Sequence, residues 1–433
     1  MLHRNLLFLL GLVPAALAAQ QDRPLTLHEA VLLGRRHGVQ GELAQLESAA
    51  ADARVGERRA DLLPTLGGQA GISRQTNNLS EFGLSVPGFP AVTDPFTLYA
   101  LRGRATQTLF NGASLSRLRG AGADARAAGY DARAARDRAG LQAGLAWLRA
   151  VSTAETVKAR EADSVVAADL LRMARQQLQA GVSAAIDVTR AEVNMAAIRG
   201  QLLSARNERD QARLELNRAL NVPADTAIVL SDTLDAVTTD LPVDADSAVA
   251  YAVAHRPETA AARERTRAAQ LQRRAITWEN LPSVEAFGQV NQTGIQIDTL
   301  RFTWSLGVQV SVPLFDGLRR QRRAAEQSAR LAAQDLRERD LRRTVEVEAR
   351  SALLDLASAR GAVEVAQERL RLADQEMRQA EERFAAGAAG SVETSQAQLG
   401  LSAARDGLIQ AKVNLSSARV RAYGALGAFD QMQ

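Results

Sequence analysis

The chain is written twice. Residues from about Leu25 to Asn221 and from about Asp244 to Gly427 follow one plan. Each copy reads helix, Leu-Pro, strand, loop, strand, Leu-Phe-Asn/Asp-Gly, very long helix, glycine turn, long helix. Leu63-Pro64 matches Leu281-Pro282, Leu109-Phe110-Asn111-Gly112 matches Leu314-Phe315-Asp316-Gly317, and Gly181 matches Gly387. A duplication of this length constrains the fold more than any single motif, because both copies must make sense in one architecture. The helical stretches are too long for a compact domain, and the strands are too few to close a sheet.

Composition supports long helices over ordinary globules. Aromatics are only 4% of the 433 residues, while Ala, Arg, Glu, Gln and Leu dominate the helical parts, the usage of coiled helices. The net charge of +4 is small for this length. Arginines alternate with acids along the helices and read as solvated faces. No basic stripe carries the interleaved aromatics of a nucleic-acid binder.

The N-terminus reads as a secretory signal over residues 1–18. Arg4 supplies the positive region, Leu6 to Ala15 the short apolar core, and Ala16-Leu17-Ala18 the small-x-small cleavage site. The apolar run is too short to span a bilayer. The chain has no cysteine, so lipid anchoring through a cleavage-site cysteine, disulfides and thiolate metal sites are all excluded.

Period-two alternation predicts strands over about 65–76, 98–110, 283–293 and 300–313. The clearest places Phe302, Trp304, Leu306, Val308, Val310 and Val312 on one face. Arg301, Thr303, Ser305, Gly307, Gln309 and Ser311 fall on the other. One apolar and one polar face mark a strand between two media. Each strand is about ten residues long, as a tilted membrane-spanning strand must be. Val284, Ala286, Gly288 and Val290 repeat the pattern, with Phe287 breaking the polar face. In the first copy Leu66, Gly68, Ala70 and Ile72 precede Tyr99, Leu101, Gly103, Ala105 and Leu109. Aromatics cluster around these segments, as interfacial girdles do.

One helix is predicted over about Thr26–Ala60, with its counterpart over about Asp246–Asn280. His37 and His255 fall at equivalent places. With no acid or nucleophile beside them, they read as polar helix residues and not as catalysts. Asn111 and Asp316 are placed to cap the long helices. In the second of these, Val345, Ala352, Ala359, Ala366, Ala373 and Ala380 form one line. Ala349, Leu356, Val363, Leu370, Met377 and Phe384 form the other. The steps alternate four and three, the seam of a left-handed supercoil. Its first-copy counterpart carries Gly120, Gly122, Gly129, Gly140 and Gly144, which leaves two readings, tight helix packing or a local break. A non-helical linker occupies 222–243.

Four membrane-type strands cannot close a barrel, so their edges must be satisfied by other copies of the chain. Twelve strands from three chains is a natural closure under cyclic symmetry. The expected class is therefore mainly α with membrane β, an oligomeric conduit that starts in an outer membrane and continues inward as helices.

The Leu-Thr-Leu-x-Glu-Ala start at Leu25, the paired Leu-Pro turns, the paired Leu-Phe-Asn/Asp-Gly junctions and the two glycine tips together resemble the TolC family of outer-membrane efflux proteins. The resemblance covers nearly all of the expected mature chain. It implies a homotrimer with a shared 12-stranded transmembrane β-barrel and a long periplasmic α-helical barrel. It also implies a periplasmic adaptor and an inner-membrane pump as partners, in drug efflux or type I secretion, with outer-membrane lipid around the barrel and no cofactor.

By the same resemblance the tips, about 181–187 and 387–393, are adaptor-docking ends built on Gly181, Val182 and Ser183 and on Gly387, Ala388 and Gly390. Asp187 and Glu393 would set carboxylates at the periplasmic mouth, where three copies of each would favour cations. Helix N-capping accounts equally well for each acid alone. Well-known members close the mouth with a tyrosine, an arginine and an aspartate. Here Phe384 and Ala389 replace the first two, Asp187 remains, and Gln396 replaces a second acid. A gate held by packing follows from these departures. The competing class is a periplasmic coiled-coil adaptor or scaffold without a pore, against which the alternating strands count. With no nucleophile–base set and no Gly-rich phosphate loop, an enzyme is not supported.

Overall fold

A computed structural model describes residues 24–78, 91–231 and 244–432. The expected signal peptide, the middle of the first strand loop and most of the linker lie outside the described residues. The order is α1 (Leu27–His37), α2 (Val39–Ala60), β1 (Thr65–Gln75), β2 (Phe96–Phe110), α3 (Gly112–Gln179) and α4 (Ala185–Ala219). The second copy repeats it with α5 (Ala245–His255), α6 (Pro257–Trp278), β3 (Ser283–Gly294), β4 (Arg301–Ser311), α7 (Arg319–Ala385) and α8 (Ser391–Leu426).

Two expectations need correction, and one open alternative is resolved. The single first helix of each copy is two helices. Gly38 is extended at ψ 128° between α1 and α2. Arg256 takes the same conformation between α5 and α6 because Pro257 follows it. His37 and His255 therefore end α1 and α5, and the His255 ring stacks on Tyr251 at 3.9 Å between centroids. Second, α3 runs unbroken through its glycines. They allow close packing: a Cβ on Gly140 would lie 3.0 Å from the Val31 carbonyl oxygen, and one on Gly144 would lie 2.8 Å from the Val31 side chain. Third, Asn111 caps α3 directly, accepting from the Ser114 N–H at 3.0 Å, but Asp316 stands further back. Gly317 and Leu318 turn left-handed at φ 69° and 66°, so α7 starts at Arg319. Asp316 reaches its first turn by accepting from the Arg320 N–H at 3.1 Å and the Arg320 guanidinium at 2.8 Å.

The described chain divides into two compact units. One holds residues 47–129 and 261–339. Its centre is an antiparallel sheet in the order β1-β2-β3-β4, so β1 and β4 are both free edges among the described residues. The register aligns the expected apolar faces except at Leu109, which a bulge skips so that Phe110 stands opposite Val284. Gly68, Gly103, Val290 and Trp304 stand opposite one another in sequence across the sheet, as do Leu66, Ala105, Gly288 and Leu306. This face is bare in the single chain: Trp304 is 70%, Leu306 76% and Leu66 84% exposed. Phe287, the apolar intruder on the polar face, covers Gly307, where a Cβ would meet its ring at 2.9 Å.

The other unit holds the residues up to 46, 130–260 and from 340 onward. Its main core packs Val31, Trp147, Leu148, Leu216, Val345, Val420, Tyr423 and Leu426, all essentially excluded from solvent. The Trp147 indole N–H donates to the Leu25 carbonyl at 2.9 Å, anchoring the chain ahead of α1. In α7 every buried side chain, from Val345 and Ala349 to Ala380 and Phe384, belongs to one of the two predicted heptad lines. Alanine dominates these contacts because small knobs let long helices approach closely.

Candidate functional site

The two glycine tips are built alike. Gly181 and Gly387 both adopt left-handed backbone, at φ 74° and 72°. At each, the glycine N–H bonds back to the residue three before it and the following N–H to the residue five before it. These are Gly181 to Leu178 and Val182 to Gln177, then Gly387 to Phe384 and Ala388 to Arg383, all between 2.9 and 3.0 Å. This reciprocal pair satisfies the last carbonyls of a helix and calls for glycine at the left-handed position. The next helices start at Ala185 and Ser391 without a side-chain cap on their N-cap residues, Ala184 and Gly390. Asp187 and Glu393 both sit at the third position of those helices, where a carboxylate meets the positive end of the dipole. Val182 is 72% exposed at the turn, and Gly181, Gly387 and Ala388 are exposed beside it or at the matching turn.

The two acids differ in their partners. Asp187 joins the tips: it accepts from the Ser391 hydroxyl at 2.5 Å and from the Ser183 hydroxyl at 3.0 Å. These bonds, the Ser391 hydroxyl above all, hold its carboxyl below the usual carboxylate range, and Ala184 and Arg190 add to the effect. Glu393 stays within its own tip, 3.0 Å from the Arg383 guanidinium. Phe384 is 3% exposed and packs among Ala174, Ala191, Leu171, Met173 and Val188, a wedge between α3, α4 and α7. Its carbonyl accepts from the Gln177 amide at 2.7 Å. Ser391 and Arg383 are the residues sequence reasoning missed. Arg383 lies ten residues before Glu393 across a turn and was readable as its partner. Ser391 is 204 residues from Asp187, and only folding pairs them.

A second polar cluster was also missed. Asp163, 2% exposed, accepts from Arg405 at 2.7 Å, from Arg160 at 2.8 Å and from the Ser402 hydroxyl at 2.8 Å. Arg160 also binds Asp406. The Asp163 carbonyl accepts from Gln398 at 3.1 Å, and Gln398 in turn accepts from Asn194 at 2.7 Å. The cluster ties α3 to α8 and, through Asn194, to α4. Among the described residues no group of His, Asp and Glu is arranged to hold a metal ion.

A duplicated pair of long helical hairpins, carrying one four-stranded sheet with a bare apolar face, defines an outer-membrane-channel type of fold. The outer membrane efflux protein family model matches residues 32–222 and 249–428, the two copies, and the chain belongs to that family. The Campylobacter jejuni CmeC outer membrane channel is similar over 93% of this chain and 85% of its own, with TM-score 0.81 and 18% identity. The Vibrio cholerae outer membrane protein VceC matches with TM-score 0.78 and 15% identity over 93% of this chain and 96% of its own. The open state of the Neisseria gonorrhoeae MtrE outer membrane channel gives TM-score 0.77 and 19% identity over 93% and 88%. No curated protein matches the sequence.

Proposed function

We propose that this chain is the outer-membrane channel of a tripartite efflux or type I secretion system. Three copies close a twelve-stranded barrel, and substrates pass through it passively from a periplasmic adaptor and inner-membrane pump to the exterior. The observation that carries this reading is the sheet. Its apolar face is exposed on all four strands, and its two edges are unpaired among the described residues. Open edges are tolerated in lipid only if they close on other strands. No described helix is long and apolar enough to cross a membrane. The tips at Gly181–Ser183 and Gly387–Gly390 are the adaptor-docking ends in this reading, and Asp187, Phe384 and Glu393 belong to the periplasmic mouth. The buried Phe384 wedge supports a mouth held by packing, with the Asp187–Ser391 bond tying the two tips of each protomer. Outer-membrane fractionation with chemical crosslinking tests the proposal. A crosslinked trimer in the outer-membrane fraction is expected, and a monomer or a soluble periplasmic pool contradicts it.

A further inference from the structure

The polar face of the sheet carries an unbalanced set of charges. Arg301, Arg102 and Arg104 occupy three successive rows of that face. Arg301 is in register with Thr293, Arg102 with Gln69 and Asn291, and Arg104 with Gly67 and Gln289. Successive rows lie about 7 Å apart along a strand. All three arginines are exposed, and none makes an ion pair among the described residues. Their row neighbours are uncharged.

The one acid in strand register on this face is Glu285, opposite Thr108 and Gln309. It lies two rows beyond Arg104, about 14 Å along the strand, which exceeds the Debye length of about 8 Å at physiological ionic strength. Asp94 and Asp298 fall outside the strands, at the loop end. Arg301 lies at the loop end of the sheet, Arg102 and Arg104 near its middle, and Glu285 nearer the helices.

We infer that the barrel lumen carries, between its loop end and mid-height, a belt that binds small polyanions, formed by Arg102, Arg104 and Arg301 from each protomer. The inference rests on the trimeric-barrel reading above, which turns the apolar face to lipid and this face to water. Threefold symmetry repeats each guanidinium at one height, so three rings of like charge follow one another. Rings of arginine in a wet pore attract anions, and guanidinium binds multiply charged oxyanions through paired N–H donors. A lipid phosphate would instead be met on the apolar face, where Arg74 stands in the outward register opposite Thr97.

The test is titration of inositol hexakisphosphate into the detergent-purified trimer at low salt. Wild type should bind, and Arg102→Gln/Arg104→Gln should weaken binding by at least about tenfold. Arg74→Gln should leave it unchanged, and raising the salt should weaken the wild type. Polyanion added on the loop side of a planar bilayer should block current, and the double variant should lose that block. Equal binding by wild type and double variant overturns the inference, as does an intact trimer that does not bind. Binding lost through Arg74→Gln instead points to a lipid-facing phosphate site and also overturns it. A protein that forms no trimer removes the proposed function itself, and the belt with it.

Discussion

Asp187 holds two turns with one carboxylate, and its depressed pKa fixes the pH behaviour of that link. Because the folded carboxyl titrates below its ordinary value, its stabilisation is present above the usual carboxylate range and is lost as pH falls through the lower folded pKa. The Asp187–Ser391 link should therefore survive mild acid. Ser391→Ala should move the Asp187 carboxyl back up, a shift that carboxylate NMR titration would read. Glu381 behaves in the opposite sense. Burial raises its pKa, and the nearby Asp169 and Asp374 carboxylates add to the rise, so ionisation at neutral pH costs stability that returns as pH falls through the raised value. Glu381→Gln should raise thermal stability at pH 7 and lose that advantage in acid; a variant no more stable at neutral pH argues against the account. Phe384→Ala removes a wedge that is 3% exposed and should cost about 3 kcal/mol. In single-channel recordings it should also loosen the mouth. If Asp187→Ala opens the mouth strongly while Phe384→Ala does nothing, packing is not what holds it.

Among the elements, the α3–α8 seam depends on a buried ion cluster that no local pattern announced. Replacing Asp163 with alanine leaves Arg160 and Arg405 without the carboxylate they share. Truncating one partner of a buried ion pair costs about 3–5 kcal/mol. The expected outcome is a lower denaturant midpoint, with destabilisation from Arg405→Ala that is not additive with it. Additive losses would mean that the two act separately. The contrast with α7 shows what sequence conveys. Its heptad lines were legible because burial repeats at fixed spacing along one helix, and the strand faces were legible for the same reason at period two. Asp163, Arg160 and Arg405 interrupt that periodicity, and their meaning lies in a contact between residues 242 apart. The helix breaks at Gly38 and Arg256 were missed for a subtler reason. The amphipathic pattern continues across each break, while Pro257 and the close approach at Gly38 fix the backbone locally.

Taken whole, the molecule has the parts of an outer membrane efflux protein, and its duplication supplies one hairpin to the sheet from each copy. The copies are not equivalent. One helix is capped directly by Asn111 and the other starts late behind Asp316, and one tip acid bridges the tips while the other stays local. The central claim is that β4 of one chain pairs with β1 of the next. The chain contains no cysteine, so engineered pairs report without background. Within one chain β1 and β4 are separated by β2 and β3. At about 4.8 Å per strand spacing they stand about 14 Å apart, too far for a disulfide. Gln69→Cys on β1 should be combined in turn with Thr303→Cys, Ser305→Cys and Gln309→Cys on β4, all on the polar face. Oxidised outer membranes carrying these variants, run on a non-reducing gel, should yield a covalent trimer for at least one pair. Monomer alone for every pair would contradict the shared barrel.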